Sequence, residues 1–442
     1  MRFCGRLLIV AGVICFTGVG AGAAPETARS ADAFVDFQGV NTHYINSIYT
    51  GQNGYSFTAL DQKLADLGIR HLRDNTVGAD PPAFTRLDGL YANYGIHATL
   101  IPNDTSQSPA AIENLLKAHP VYEAVEGLNE VDFATRSYNG FTDSPSTNSY
   151  PATKAFQNDL YAAVKGDAQT AGLKVLSPSV GNTTKAQYLA GSNFDYASMH
   201  SYPNGRNPTF NLDTKISQEN LIASPPKPIM ATETGYYNKP NDGGQVSELA
   251  SGKYLPRLFG EYFNRGITRT YPYELVDQNP TTDKESNFGL LHWDLTPKPA
   301  YTAVKNLNDL VKEPGAPGFS PGTLNYTLTA PSTVHHTLLE KSNGTFYLLL
   351  WNEVLSWNVS TQQDITNADV SAQLALADQF EQARTYLIGS SLTPTATYTN
   401  PTTLNLSVPD QVLVVELSHV PEPGGVSAVV LMLTLAMRRR RR

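Results

Sequence analysis

Glu130 closes the run Val125-Glu126-Gly127-Leu128-Asn129-Glu130. Glu233 closes the run Ile229-Met230-Ala231-Thr232-Glu233 about a hundred residues later. A short apolar run ending in a carboxylate is how the C-terminal end of a buried barrel strand presents a reactive group. Two carboxylates so placed are the minimum equipment for splitting a glycosidic bond. One stays protonated and releases the leaving oxygen; the other stays ionised. Carboxyl groups about 5 to 5.5 Å apart act by double displacement, and a separation of about 6.5 to 9.5 Å leaves room for an inverting water. The purely structural use of these residues is Glu130 as a helix cap and Glu233 paired with a surface lysine.

The elements around these runs alternate. Leu60, Leu64 and Leu67 give residues 57–67 a helical period closed by Gly68, and 69–74 reads as a strand. Residues 34–41 start the ordered structure and form the first strand, after a small, polar linker over 25–33. Phe84, Leu87, Leu90 and Tyr91 mark another helix before a strand at 96–101. Ile112, Leu115 and Leu116 mark the next, before 121–128. A helix over 155–169 precedes strands at 173–177, 194–199 and 228–232. A helix over 254–265, closed by Gly266, leads to the eighth strand, 267–275, and the last helix is 301–311. Eight strands with alternating helices predict an α/β chain with a (β/α)8 TIM barrel over 34–312. A doubly wound sheet is the competing architecture. The stretch Pro314-Gly315-Ala316-Pro317-Gly318 breaks the pattern. Strand-like segments then fill 319–418, which predicts a small all-β sandwich domain, either packed on the barrel or binding carbohydrate.

Three places in the barrel resemble the clan A glycoside hydrolases, retaining enzymes on a TIM barrel. Asn129-Glu130 matches that clan's Asn-Glu pair after the fourth strand, Glu233 its nucleophile after the seventh, and His200-Ser201-Tyr202 an aromatic or histidine position after the sixth. Arg73 stands where many members keep a site arginine, and Phe288 to Leu291 with Pro297 to Tyr301 resembles their final loop and helix start. The resemblance implies Glu130 as acid/base and Glu233 as nucleophile on a β-linked poly- or oligosaccharide. It also implies Asn129 on the substrate's 2-hydroxyl, Arg73 holding the charge of Glu233, and Tyr202 or His200 orienting Glu233. A non-catalytic carbohydrate-binding or surface matrix protein on such a barrel is the alternative.

Other residues are expected at the mouth. His43 and Tyr44 end the first strand, and Glu274 and Asp277 end the eighth. Tyr138, Tyr236, Tyr237, Tyr271, Tyr273 and Trp293 are expected to offer faces for sugar C–H groups, with loops 131–153 and 277–288 as walls. Glu126 lies an even four residues before Glu130 and is either a buried partner or a sheet–helix residue. Asp242-Gly243-Gly244 and Asn103-Asp104 read as turns rather than metal loops, and no phosphate or nucleotide motif calls for a cofactor.

Charge narrows the partners. The formal net charge is −8, but Arg2, Arg6 and Arg438 to Arg442 hold seven of the 32 basic residues. Residues 24–421 keep 25 basic against 39 acidic groups, a surface that repels phosphate backbones, so nucleic acid is not an expected partner. Residues 1–24 read as a secretory signal peptide: Arg2 and Arg6, an apolar run over 7–19, and small residues before a cut near Ala23 or Ala24. Cys4 and Cys15 lie inside it, so the mature chain would hold no thiol. Residues 420–442 carry Pro421-Glu422-Pro423, an apolar run over 426–437 and five arginines. That run is shorter than the ~20 residues of a spanning helix, and its arginines favour the cytoplasmic side. A plain membrane anchor accounts for the hydropathy. The whole segment also resembles a PEP-CTERM sorting signal. This implies a membrane sorting protease of the exosortase type as partner. It also implies a secreted or surface protein of a Gram-negative-type bacterium, transiently anchored through its tail.

Overall fold

A computed structural model describes residues 24–419 except 45–48, 50–55, 76–80, 103, 240, 241, 282 and 314–317. Residues 1–23 of the expected signal peptide and the whole of the expected sorting tail lie outside the described residues. No helix among the described residues is long and apolar enough to cross a membrane.

The first large unit is built on two parallel sheets. One has five strands in the order Gly39–Asn41, His71–Asn75, His97–Ile101, Tyr122–Val125 and Lys174–Val175. The other has three, Ala197–His200, Ile229–Thr234 and Arg269–Pro272. Isolated parallel bridges link them at both edges, Leu176 to Tyr196 and Gln38 to Thr270. Helices Phe57–Leu67, Pro81–Tyr94, Pro109–Ala118, Pro151–Gly166, Glu248–Asn264 and Pro299–Val311 lie between or after the strands. Ser56, Ser108 and Ser247 cap three of them, each hydroxyl accepting from the N–H three residues on. All six residues of Ile229–Thr234 are buried, as a strand covered on both faces requires.

The second unit packs a six-stranded sheet against a four-stranded one. The six run Arg29–Ser30, Val334–Glu340, Phe346–Asn352, Leu413–Ser418, Gln382–Leu387 and Ala396–Thr399; the four run Ala24–Thr27, Thr323–Thr329, Val370–Leu376 and Thr403–Val408. Alternation along Phe346–Asn352 explains its complete burial. Leu348 and Leu350 face the core between the sheets, while Tyr347, Leu349 and Trp351 join the core of the first unit.

Two expectations need correction. Residues 25–33 are not a linker: Ala24–Thr27 pairs antiparallel with Thr323–Thr329, and Arg29–Ser30 pairs parallel with Val334–Glu340. The second unit therefore draws strands from both ends of the described chain. Nor does the first strand begin at Phe34. Residues Ala31–Asp36 are a helix capped by Ser30, whose hydroxyl accepts from the Ala33 N–H at 3.2 Å, and the strand is only Gly39–Asn41. Phe34 and Phe37 pack on Phe263, so tertiary contact decides an apolar run that either element suits.

Candidate active site

Strand ends at one rim converge on a cavity of about 630 Å³. Glu233 comes from inside Ile229–Thr234. Glu130 lies beyond Tyr122–Val125, in a turn, with a left-handed φ of +42°. That conformation costs a non-glycine residue roughly 1 to 2 kcal/mol and is held here by neighbours. The Glu130 N–H donates to Ser179 Oγ at 3.0 Å, and the Val131 N–H donates to the Ser179 carbonyl at 3.0 Å. Gly127 allows the close approach upstream: a Cβ there would stand 2.6 Å from the Pro178 nitrogen.

One imidazole joins the two acids. His200 Nδ1 lies 2.9 Å from Glu130 Oε1 and 3.5 Å from Glu233 Oε2. One oxygen of Glu130, one of Glu233 and the His200 nitrogen all lie within 4.8 Å of one another, so the two carboxylates face each other closely enough to share one imidazole. Three such groups can also hold a metal ion, but Arg73 already supplies positive charge to Glu233 at 2.7 Å.

Arg73 is fully engaged. It donates from Nε and Nη2 to Glu126 at 2.6 and 3.1 Å, and from Nη1 to Glu233 Oε1 at 2.7 Å. Its Nη1 also donates to Asn41 Oδ1, and its Nη2 to Asn129 Oδ1, both at 2.8 Å. Glu126 is thus a buried partner, bonded further by Ser198 Oγ at 2.7 Å. Tyr202 donates its hydroxyl to Glu233 Oε2 at 2.9 Å. Burial alone would raise the pKa of Glu233. The charges of His200 and Arg73 and the bonds from Arg73 and Tyr202 outweigh it and hold the carboxyl below its ordinary range. Burial pulls His200 down, but the charge of Glu233 and the bond to Glu130 carry it above the usual imidazole value.

A second cluster lines the same cavity through His43 and Tyr273. His43 Nε2 lies 3.1 Å from both Glu274 Oε2 and the Tyr273 hydroxyl. Glu274 also accepts from Tyr49 and Gln278. Nearby Asp74, bonded by Thr42 Oγ1 and the Tyr44 N–H, is pushed by burial up to about 6.

The cavity brings together Asn129, Glu130, Glu233, Arg73, His43 and Tyr202, and its wall includes Tyr236, Tyr237 and Tyr273. His200 is buried against both acids, and Glu274 lies behind His43. The rest stand elsewhere. Tyr44 is buried with its hydroxyl on Asp61, and Tyr271 is buried with its hydroxyl on Thr99. Tyr138 bonds Asp159 and packs on Phe156; Asp277 pairs with Lys298. Trp293 is surface-exposed, and none of these five lines the cavity. Tyr271 and Tyr273 are two residues apart and would share a face in a continuous strand, but the strand ends at Pro272, so Tyr271 stays buried inside it while Tyr273 stands past its end at the cavity. Sequence reasoning missed Asn41, Phe133, Ser179 and Gly181. Asn41 ends the first strand and Phe133 follows Glu130 by three, so position relative to strand ends was the available signal.

No protein-family model and no curated protein matches the chain. Solved structures do. A family 39 glycoside hydrolase from the gut symbiont Bacteroides cellulosilyticus WH2 aligns with a TM-score of 0.59 at 15% identity, over 88% of this chain and 81% of that one. A GH30 endoxylanase from Clostridium papyrosolvens C71 aligns with a TM-score of 0.51 at 13% identity, over 90% of this chain and 98% of that one. At these identities the chain shares with these glycoside hydrolases their fold.

Proposed function

We propose that the protein is a retaining glycoside hydrolase cleaving β-linked poly- or oligosaccharides, and that its two parallel sheets form one (β/α)8 barrel. The bridges at both sheet edges support the barrel. The observation that carries the reaction is the close facing of Glu130 and Glu233 across one cavity, with Arg73 and Tyr202 holding Glu233 ionised.

In the first step an oxygen of Glu233 bonds to the anomeric carbon. The bond to the leaving oxygen breaks, its electron pair stays with that oxygen, and Glu130 supplies the proton. In the second step Glu130 takes a proton from water. The water oxygen bonds to the anomeric carbon and the Glu233 ester bond breaks. Arg73 and Ser179 both donate to Asn129 Oδ1, so its amide N–H₂ is left for a substrate hydroxyl, an interaction that strengthens in the transition state. His200 positions both acids through its Nδ1, and His43 with Tyr273 offers the glycan a polar and aromatic stretch of the cavity lining.

Glu130→Gln and Glu233→Gln test the assignment. Each is expected to lower kcat by about 100-fold or more while remaining folded by circular dichroism. A panel of β-linked glycans, with product anomers followed by NMR, reads rate and stereochemistry together. Full activity in both variants, or inverted product, sinks the reading. For location we propose export through residues 1–24 and sorting through 420–442 by an exosortase-type protease. Mass spectrometry of the exported form is expected to find a start near Ala24 and the arginine tail gone; an intact chain on both counts refutes this.

A further inference from the structure

Phe133 is the most exposed large apolar side chain among the described residues, with 70% of its surface accessible. It is nonetheless held. The Phe133 N–H donates to the Glu130 carbonyl at 3.1 Å. The preceding residue, Asp132, is buried and accepts from the N–H of Gly181 at 2.8 Å and of Asn182 at 3.2 Å, with Lys185 at 3.8 Å. The turn carrying Phe133 is therefore stapled to the segment that also bonds Glu130 through Ser179.

The ring rests on Gly181. A Cβ at that glycine would stand 2.3 Å from Phe133 Cζ and 2.4 Å from Cε2. The same Cβ would stand 3.3 Å from Glu130 Oε1. Only the missing side chain makes room for the ring, and the room lies beside the oxygen of Glu130. Both Phe133 and Gly181 line the cavity. A fixed apolar face that the protein's own core does not use is thus set at the Glu130 side, apart from the Arg73 and Tyr202 contacts of Glu233. Leaving such a face in water is unfavourable, and covering it with another apolar face recovers that energy.

We propose that Phe133 is the stacking platform for the sugar on the leaving side of the scissile bond, a specificity residue for chain substrates. This rests on the double-displacement reading above. In that reaction the acid gives its proton to the leaving oxygen, so the sugar bearing that oxygen occupies the Glu130 side. A pyranose offers a C–H face to an aromatic ring at little entropic cost.

The test compares two probe sets on the full chain. The first is β-D-glucosyl, β-D-xylosyl and β-D-galactosyl fluoride, whose leaving group is not a sugar. The second is the β-linked oligosaccharides of the same three sugars. Phe133→Ala is expected to lower kcat/KM on oligosaccharides about 10-fold, mainly through KM, and to leave the fluorides within about twofold. Phe133→Tyr is expected to keep parent values, and Phe133→Leu, apolar but without a ring face, to resemble the alanine variant. The alkaline limb of the pH profile is expected not to move. An equal loss on both probe sets, no loss on either, or a displaced alkaline limb (the ring then acting through Glu130) overturns the platform. A parent protein inert on both probe sets overturns the hydrolase reading itself, and the platform with it.

Discussion

Arg73 carries one charge and answers two buried carboxylates, Glu126 and Glu233. The bidentate bond to Glu126 fixes the guanidinium plane, and Nη1 is then aimed at Glu233. Lysine could not keep that geometry, because its ammonium lacks the planar fork. Removing the arginine would leave both acids uncompensated, a loss of about 3 to 5 kcal/mol for a broken buried pair. His200 provides the pH dependence. The groups facing it are Glu130, Glu233 and Arg73, and the two carboxylates win, so its folded pKa lies above the unfolded value near 6.5. A group raised in this way adds stability that is fully present below the unfolded pKa and is lost as pH rises through the folded one. Replacement by asparagine is therefore expected to lower the melting temperature more at pH 5.5 than at pH 9. Calorimetry of parent and variant across that interval measures it, and a gap that widens toward alkaline pH would contradict the charged imidazole.

Elements were legible in the sequence where one period ruled, and not where two fitted. The helices at 57–67 and 301–311 emerged close to their observed bounds because leucine spacing and Gly68 or Pro299 mark them. Residues 121–128 looked like one long strand, yet pairing stops at Val125. Beyond it, Glu126 turns to Arg73 and Gly127 meets Pro178, contacts that only the neighbouring strands supply. Phe34 to Phe37 shows the opposite ambiguity, with the Ser30 cap and Asp32 in the first turn as the unread signal for a helix. That Glu130 and Glu233 would meet at one cavity was legible from their positions after the fourth and seventh strand-like runs. A contact of His200 or Tyr202 with Glu233 was expected, but the reach of His200 Nδ1 to Glu130 as well was not, since it forms only after strands distant in sequence come into register. The outlying aromatics, Tyr44, Tyr138, Tyr271 and Trp293, failed for a related reason. Residue type predicts stacking capacity, whereas the layer a side chain enters is decided by pleat and packing.

At the scale of the molecule, helix Glu248–Asn264 joins the two units. Its buried Arg257 donates from Nε and Nη2 to Glu353 at 2.9 and 2.6 Å, and bonds Ser356 Oγ and the carbonyls of Val354 and Asp410. Glu353 Oε1 in turn accepts from Asn207 and Thr209, in the loop after strand Ala197–His200. One ion pair therefore ties a helix of the first unit, the loop after its strand Ala197–His200 and the second unit. Nearby, Trp351 donates to Glu261 at 3.0 Å and fills the space left by Gly260, where a Cβ would stand 2.5 Å from its ring. With apolar residues of both units in one continuous core, they are expected to unfold together. Arg257→Met tests this. It strands Glu353 without its partner and is expected to cost about 3 to 5 kcal/mol in urea unfolding. Adding Glu353→Leu should recover part of that loss, because the pair is then replaced rather than broken. In both variants the transition is expected to move as one, followed by tryptophan fluorescence and by loss of turnover. Two resolved transitions, or a double variant as unstable as the sum of its singles, would show that the two units are held together by something other than this pair and the core beneath it.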